Sequence, residues 1–252
     1  MGSLVVALRA GRDVDAAARR SLAEGVTRWW MREAARRLPT SAVTVLAADR
    51  DQRPIRGGDD PAVAPLVDVV VVAVGVIDPT GPATAGEQRG WATAIADAGA
   101  WGATQVGAWH GRAFVRIGDL VGGPLGSPAD GVEQVSLMAR SPALDHDAFV
   151  EHWTERHTPL ARRHHIGLSR YVQHVVDGLV DLGDLPGLPL PAWPDHEVDG
   201  VAELQFATEA DFAERFFDSD EGAAAIMADV DRFLDLSRTR GALVTPTVVA
   251  AG

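Results

Sequence analysis

Six consecutive residues, His152-Trp153-Thr154-Glu155-Arg156-His157, bring two imidazoles, an indole and a carboxylate into less than two helical turns. An imidazole titrates near neutrality and can give or take a proton there, so His157 is a candidate general acid or base. Phe149, Trp153, His157 and Leu160 recur at helical spacing and share one face. Pro159 lacks a backbone donor and frees the Glu155 carbonyl, which predicts a bend just past His157. The competing reading of His157 is a core histidine bonded to that loosened carbonyl. Tyr171, the only tyrosine in the chain, lies in SRYVQHVV (169–176), rich in strand formers. Its hydroxyl can stabilise a carbonyl or enolate oxygen, or it is a half-buried strand tyrosine with a satisfied hydroxyl.

Metal chemistry fits the histidines poorly. His152 and His157 are five apart, whereas helical zinc motifs set histidines four apart with a glutamate at fixed offset, and Arg156 occupies the position that H-x-x-E-H gives to its second histidine. No metal is expected. The chain contains no cysteine, lysine or asparagine, and its 23 basic residues are all arginine. Schiff-base and pyridoxal-phosphate chemistry are therefore excluded, as are thiolate nucleophiles and cysteine-ligated zinc or iron–sulfur clusters. No phosphate-binding glycine loop or G-x-S-x-G motif appears, so no cofactor is expected. A formal charge of −12 disfavours nucleic acid as a partner. The longest apolar run, 69–77, is too short for a bilayer, and the N-terminus lacks signal-peptide order, which predicts a cytoplasmic protein without a membrane partner.

The elements that must position these groups repeat. Strands are expected at 4–11, 41–49, 69–77 and within 101–118 (one strand or two), with helices at 14–38 and 85–98 and a polar connection at 50–65. A Gly/Pro/Ser-rich linker spans 118–131. The order then recurs: strand 132–140, helix 145–162, strands 168–176 and 200–207, helices across 208–237 and strand 242–250. This predicts an α+β fold of two tandem ferredoxin-like βαββαβ repeats, divided as 1–126 and 132–252. Aligning the Ala-Arg-Arg triplets at 35–37 and 161–163 sets Met31 against His157, and VVVVAV sets apolar residues against Glu203 and Gln205. The first half therefore reads as scaffold and the second as site-bearing. The loop 177–199 is long for a strand connection and holds several prolines and Trp193; it is a flap over the barrel mouth, an outer loop or a dimer contact.

Several ordered motifs resemble the EthD family of the dimeric α+β barrel superfamily: MAR (138–140), Phe149, Trp153 and His157 followed by TPLA (158–161), RYVQ (170–173), DGVAELQF (199–206) and DVDRFLD (229–235). The resemblance spans roughly half the chain. It implies a small-molecule pocket inside an α+β barrel and leaves the reaction open. Members of this superfamily usually dimerise to close that barrel; here the fused halves could close it within one chain, and a homodimer remains a possible partner state.

Alternation along the strands extends the candidate site. Val135, Leu137 and Ala139 form one face of their strand, with Gln134, Ser136, Met138 and Arg140 on the other. Glu203 and Gln205 oppose Ala202, Leu204 and Phe206 in the same way. If the apolar faces pack on helices, Ser136, Arg140, Glu203 and Gln205 surround His157 and Tyr171, with Trp153 and His174 as further lining residues. The competing reading pairs Glu203 with Arg140 structurally and turns His174 outward, while His164 and His165 are expected to be solvated at a turn. The expected activity is cofactor-independent acid/base chemistry on an apolar, carbonyl-bearing metabolite: isomerisation, cyclisation, dehydration or decarboxylation in secondary metabolism or aromatic breakdown. His157 would be the acid/base, Tyr171 the oxygen-stabilising donor, and Arg140 and Glu203 the orienting pair. The alternatives are a non-catalytic small-molecule-binding or accessory protein and, third, a haem or flavin oxygenase.

Overall fold

Strands rich in valine, alanine and leucine number ten among the described residues, and eight of them close into a ring. The computed structural model describes residues 2–10, 15–37, 42–47, 55–57, 60–65, 69–77, 103–118, 124–180 and 198–250. In the first half, β1 (Gly2–Ala10) leads to α1 (Ala16–Arg37) and β2 (Ala42–Ala47). A short hairpin follows, β3 (Ile55–Gly57) with β4 (Asp60–Pro65), then β5 (Val69–Ile77) and β6 (Ala103–Ile117). The expected helix at 85–98 lies outside the described residues, as does 181–197 of the long loop.

The second half begins with β7 (Val132–Met138) and a helix in three parts: α2 (His146–Glu151), a π-helical turn (His152–His157) and α3 (Thr158–His164). Next come β8 (Leu168–Leu179), β9 (Gly200–Phe206), α4 (Glu209–Glu214), α5 (Asp220–Phe233) and β10 (Arg240–Ala250). Helix starts follow local chemistry. Asp145, Thr208 and Ser219 cap α2, α4 and α5 by accepting from the backbone N–H of Ala148, Asp211 and Gly222.

Strand order is β2-β5-β1-β6 in the first half and β8-β9-β7-β10 in the second, the same permutation twice. Antiparallel pairing of β6 with β8 and of β10 with β2 joins the halves at both ends. The result is an α+β barrel of two ferredoxin-like sheets in one chain, and closure leaves these eight strands without free edges. One expectation needs correction: 50–65 is not an irregular connection throughout. Ile55 opposes Val63 and Gly57 opposes Asp60 in a hairpin, and β4 runs beside Arg240 and Gly241 of β10. The linker is also fixed to the barrel, because Gly126 and Ala129 donate to the Val248 and Pro246 carbonyls of β10.

Two apolar layers share the second-half sheet. Val5, Ala7, Leu46, Trp109, Val135, Leu137, Val176, Val201, Ala242 and Val244 pack together, and since they come from strands across the ring they fill its interior. On the other face Met138, Tyr171, Val175, Ala202, Leu204 and Phe206 pack with Phe149, Trp153, Ala161 and Phe233 of the helices. The resemblance led to a pocket inside the barrel; among the described residues the cavity found lies instead between sheet and helices.

Candidate active site

The π-helical turn sets Trp153 and His157 on the sheet side of their helix. π turns are rare and recur at functional sites. The break expected just past His157 occurs one turn earlier, and the Trp153 carbonyl is the one that gains side-chain partners. It accepts from Thr158 Oγ1 at 3.1 Å and from Gln173 Nε2 at 3.2 Å. Gly200 provides the room for the indole. A Cβ there would stand 2.6 Å from Trp153 Cζ3 and 3.1 Å from Met138 Cε.

Between this helix, α5 and the strands lies a cavity of about 110 Å³ whose lining comes wholly from the second half. Apolar side chains dominate it, among them Trp153, Leu204, Phe216, Phe217, Met227 and Phe233. The polar groups are few: Gln134, Ser136, His157, His165, Tyr171 and Thr239. An apolar enclosure with a small number of convergent polar groups is the usual form of a small-molecule site.

His157 Nδ1 donates to Asp229 Oδ2 at 3.0 Å, and His152 Nε2 donates to Asp229 Oδ1 at 3.0 Å. Burial acts to raise the Asp229 pKa, but the hydrogen bonds from His157 and His152 outweigh it and hold this carboxyl below its usual range. An ionised Asp229 accepts only, so the hydrogen of neutral His157 sits on Nδ1 and the Nε2 lone pair remains available. Phe233 packs 5.1 Å from His157 and 5.0 Å from His152, which fixes both rings against the carboxylate.

Tyr171 is held differently. Its oxygen accepts from Trp153 Nε1 at 3.0 Å and from Gln173 Nε2 at 2.9 Å. Arg116 Nε donates to Gln173 Oε1 at 2.7 Å and so sets the amide's orientation. Burial pushes the phenol up to about 12, against smaller opposing effects of Gln173 and Trp153. With both lone pairs engaged and the proton retained, Tyr171 has only its O–H to offer.

Of the residues singled out from the sequence, the fold gathers His157, Tyr171, Trp153 and Ser136 around this cavity. It separates the others. Glu203, Gln205 and His174 lie on the opposite face of the sheet, in register with Val135, Glu133 and Val201 of the barrel interior. There Glu203 Oε2 accepts from Arg170 Nη1 at 2.7 Å, and Oε1 pairs with His174 Nε2. Arg140 is not among the residues that line the cavity, and it does not pair with Glu203. It binds Asp199 through both its guanidinium and its backbone N–H. Alternation assigns two faces to a strand but does not say which one turns inward; the apolar face of β7 shares the interior with the polar face of β9.

His165 also departs from expectation. It is 6% exposed rather than solvated, and it lines the cavity. Asp229 and Gln173 were missed as individual residues, although both lie inside quoted motifs, DVDRFLD and RYVQ. His165 had no such signal, because its burial depends on residues 215–218 folding over the turn. Among the described residues no cluster of His, Asp or Glu could hold a metal ion, and no helix is long and apolar enough to cross a membrane.

Residues 141–237 match the EthD domain model. This stretch is similar to an EthD domain. It contains the whole helix of the π turn, β8, β9 and α5, hence His157, His165, Tyr171 and Asp229. The full chain shares its fold with an anthrone oxidase-like protein, at 12% identity and a TM-score of 0.55, covering 99% of this chain and 94% of that one. A provisionally assigned monooxygenase from Lactobacillus acidophilus NCFM aligns at 8% identity and a TM-score of 0.48, with 99% and 94% coverage. A mutant chlorite dismutase from Candidatus Nitrospira defluvii aligns at 10% and 0.47, with 98% and 92% coverage. At such identities the likeness concerns the fold alone. No curated protein sequence matches the chain.

Proposed function

We propose that the EthD-like domain carries out cofactor-independent proton transfer on an apolar, carbonyl-bearing small molecule, with 132–252 as the site-bearing repeat and 1–126 as the scaffold that completes the barrel. The observation that carries this reading is the pairing of His157 with Asp229 at 3.0 Å at the wall of an apolar cavity. The carboxylate fixes the tautomer, so Nε2 of His157 takes a proton from a carbon next to the carbonyl. The imidazolium formed is then paired with Asp229. Tyr171 donates its O–H to the carbonyl oxygen as charge develops there. Returning the proton to a different atom gives isomerisation; loss of a β-hydroxyl gives dehydration.

Exchange of the α-protons of 2-tetralone in D₂O, followed by NMR, isolates the proton-transfer step. The protein should accelerate exchange, and His157→Gln should reduce that acceleration about 10²–10⁴-fold with ligand affinity little changed. A folded His157→Gln protein with undiminished exchange removes this mechanism. Binding of 2-tetralone without accelerated exchange in the unaltered protein supports a small-molecule-binding protein instead.

A further inference from the structure

The cavity contains a second imidazole whose partner is of a different kind. His165 follows α3, and its turn is fastened to the segment after α4. Gly167 N donates to the Arg215 carbonyl and Asp218 N to the His164 carbonyl, each at 2.8 Å. The ring itself bonds through Nδ1 to the Phe216 carbonyl at 2.8 Å. Phe216 meets it edge-on at 4.9 Å and Phe217 lies 5.0 Å away.

A carbonyl oxygen can only accept. Nδ1 must therefore carry a hydrogen, and in the neutral ring Nε2 is left with a lone pair and no hydrogen. The ring also stays neutral. Burial, acting against the Phe216 hydrogen bond and aided by neighbouring His157 and His164, lowers His165 to about 4. His157 differs because its partner is a carboxylate, which can balance an imidazolium. The two histidines therefore differ in their partners: His157 faces a carboxylate, whereas His165 is a constant acceptor too weakly basic to take a proton near neutrality. A second polar group lining the cavity also has an acceptor without a partner. Gln134, 6% exposed, gives its amide nitrogen to Ser136 Oγ at 3.2 Å while its amide oxygen has no partner. Buried acceptors without partners are costly, and a ligand donor relieves that cost.

We propose that His165 is a specificity-determining residue that accepts a hydrogen bond from a ligand hydroxyl, so that the substrate class is a hydroxylated aromatic carbonyl compound. The class rests on the proposed function above for its carbonyl; the hydroxyl rests on His165 alone. The flat apolar part of such a molecule fits among Trp153, Phe216, Phe217 and Phe233, with its carbonyl toward Tyr171 and its hydroxyl toward His165.

The test separates the hydroxyl from the chemistry by using two probes that do not react. 1-Naphthol and 1-fluoronaphthalene have similar shape, and only the first can donate. The unaltered protein should bind 1-naphthol about 3–10-fold more tightly by calorimetry, the size of one net hydrogen bond. His165→Phe should abolish that preference while keeping affinity for 1-fluoronaphthalene. If this variant does not fold, ¹⁵N-histidine spectra of the unaltered protein decide. The His165 Nε2 resonance should shift with 1-naphthol and not with 1-fluoronaphthalene. Equal affinity for the two probes, a preference that survives in folded His165→Phe, or an Nε2 resonance indifferent to 1-naphthol overturns the proposal. Failure of both probes to bind overturns it as well, and leaves the exchange test of His157 to stand or fall separately.

Discussion

Two glutamates in the barrel interior should respond to the same substitution with opposite signs. Glu133 and Glu203 are both fully buried, and Arg170 lies between them, 2.7 Å from Glu203 and 3.8 Å from Glu133. With an effective dielectric constant near 20, charge pairs at these distances differ by about 2 kcal/mol in favour of ionising Glu203. Burial opposes that charge, but Arg170 and His174 together hold Glu203 well below the usual carboxylate range. Glu133 has no hydrogen-bond partner of normal geometry, and burial followed by the neighbouring Glu203 charge pushes it well up, so it remains a neutral acid. Glu203→Gln leaves the Arg170 guanidinium buried without its counter-ion, a loss of about 3–5 kcal/mol. For a chain of this size that lowers Tm by roughly 6–20 °C. Glu133→Gln substitutes a neutral side chain for one that is ionised in the unfolded chain but held protonated by burial in the fold, and should raise Tm by about 2–4 °C at pH 8. The pH windows also differ. A raised pKa gives stability that is present below the ordinary carboxylate value and is lost as pH rises through the raised one, so Glu133→Gln should flatten the fall in stability above the ordinary carboxylate value. The depressed Glu203 gives stability present above the ordinary value and lost only as pH falls through the depressed one. Thermal melts of both variants at pH 5 and pH 8 check this. If both variants shift Tm in the same direction at pH 8, or Glu203→Gln costs under about 1 kcal/mol, the assignment of proton and charge in this cluster is wrong.

Two further substitutions probe the cavity. Asp229→Asn turns an acceptor toward His157 into an amide that can donate, which favours the tautomer with its hydrogen on Nε2; 2-tetralone exchange should fall about 10²-fold or more, and the double variant with His157→Gln should be no worse than His157→Gln alone. Additive losses would show that Asp229 acts on something other than His157. Gly200→Ala should displace the Trp153 ring, since its Cβ would lie 2.6 Å from Cζ3; a stability loss of about 1–3 kcal/mol is expected from the overpacking, together with altered tryptophan fluorescence, and a change under about 0.5 kcal/mol would mean that the indole is not wedged against β9.

The sequence by itself determined most of the order of the described elements and their repeated permutation, though not the hairpin within 55–65, because strand alternation, helix-capping residues and glycine- and proline-rich turns are local signals. It also placed Trp153, His157 and Tyr171 in one neighbourhood, since Phe149, Trp153, His157 and Leu160 share a helix face and β8 follows within a short turn. It set out the two faces of β7 and β9 but could not orient them. Register decided that: Val135 is paired with Glu203, so an apolar and an ionised residue share the barrel interior, and the charge is tolerated there because Arg170 and His174 of β8 lie beside it. Hence the eight residues read as one constellation divide between two sides of a sheet. Asp229 comes to His157 from 72 positions away, and His165 becomes a buried acceptor only when the Phe216 carbonyl closes over it. Hydrogen bonds across such separations depend on how the layers stack, and no spacing along the chain encodes them.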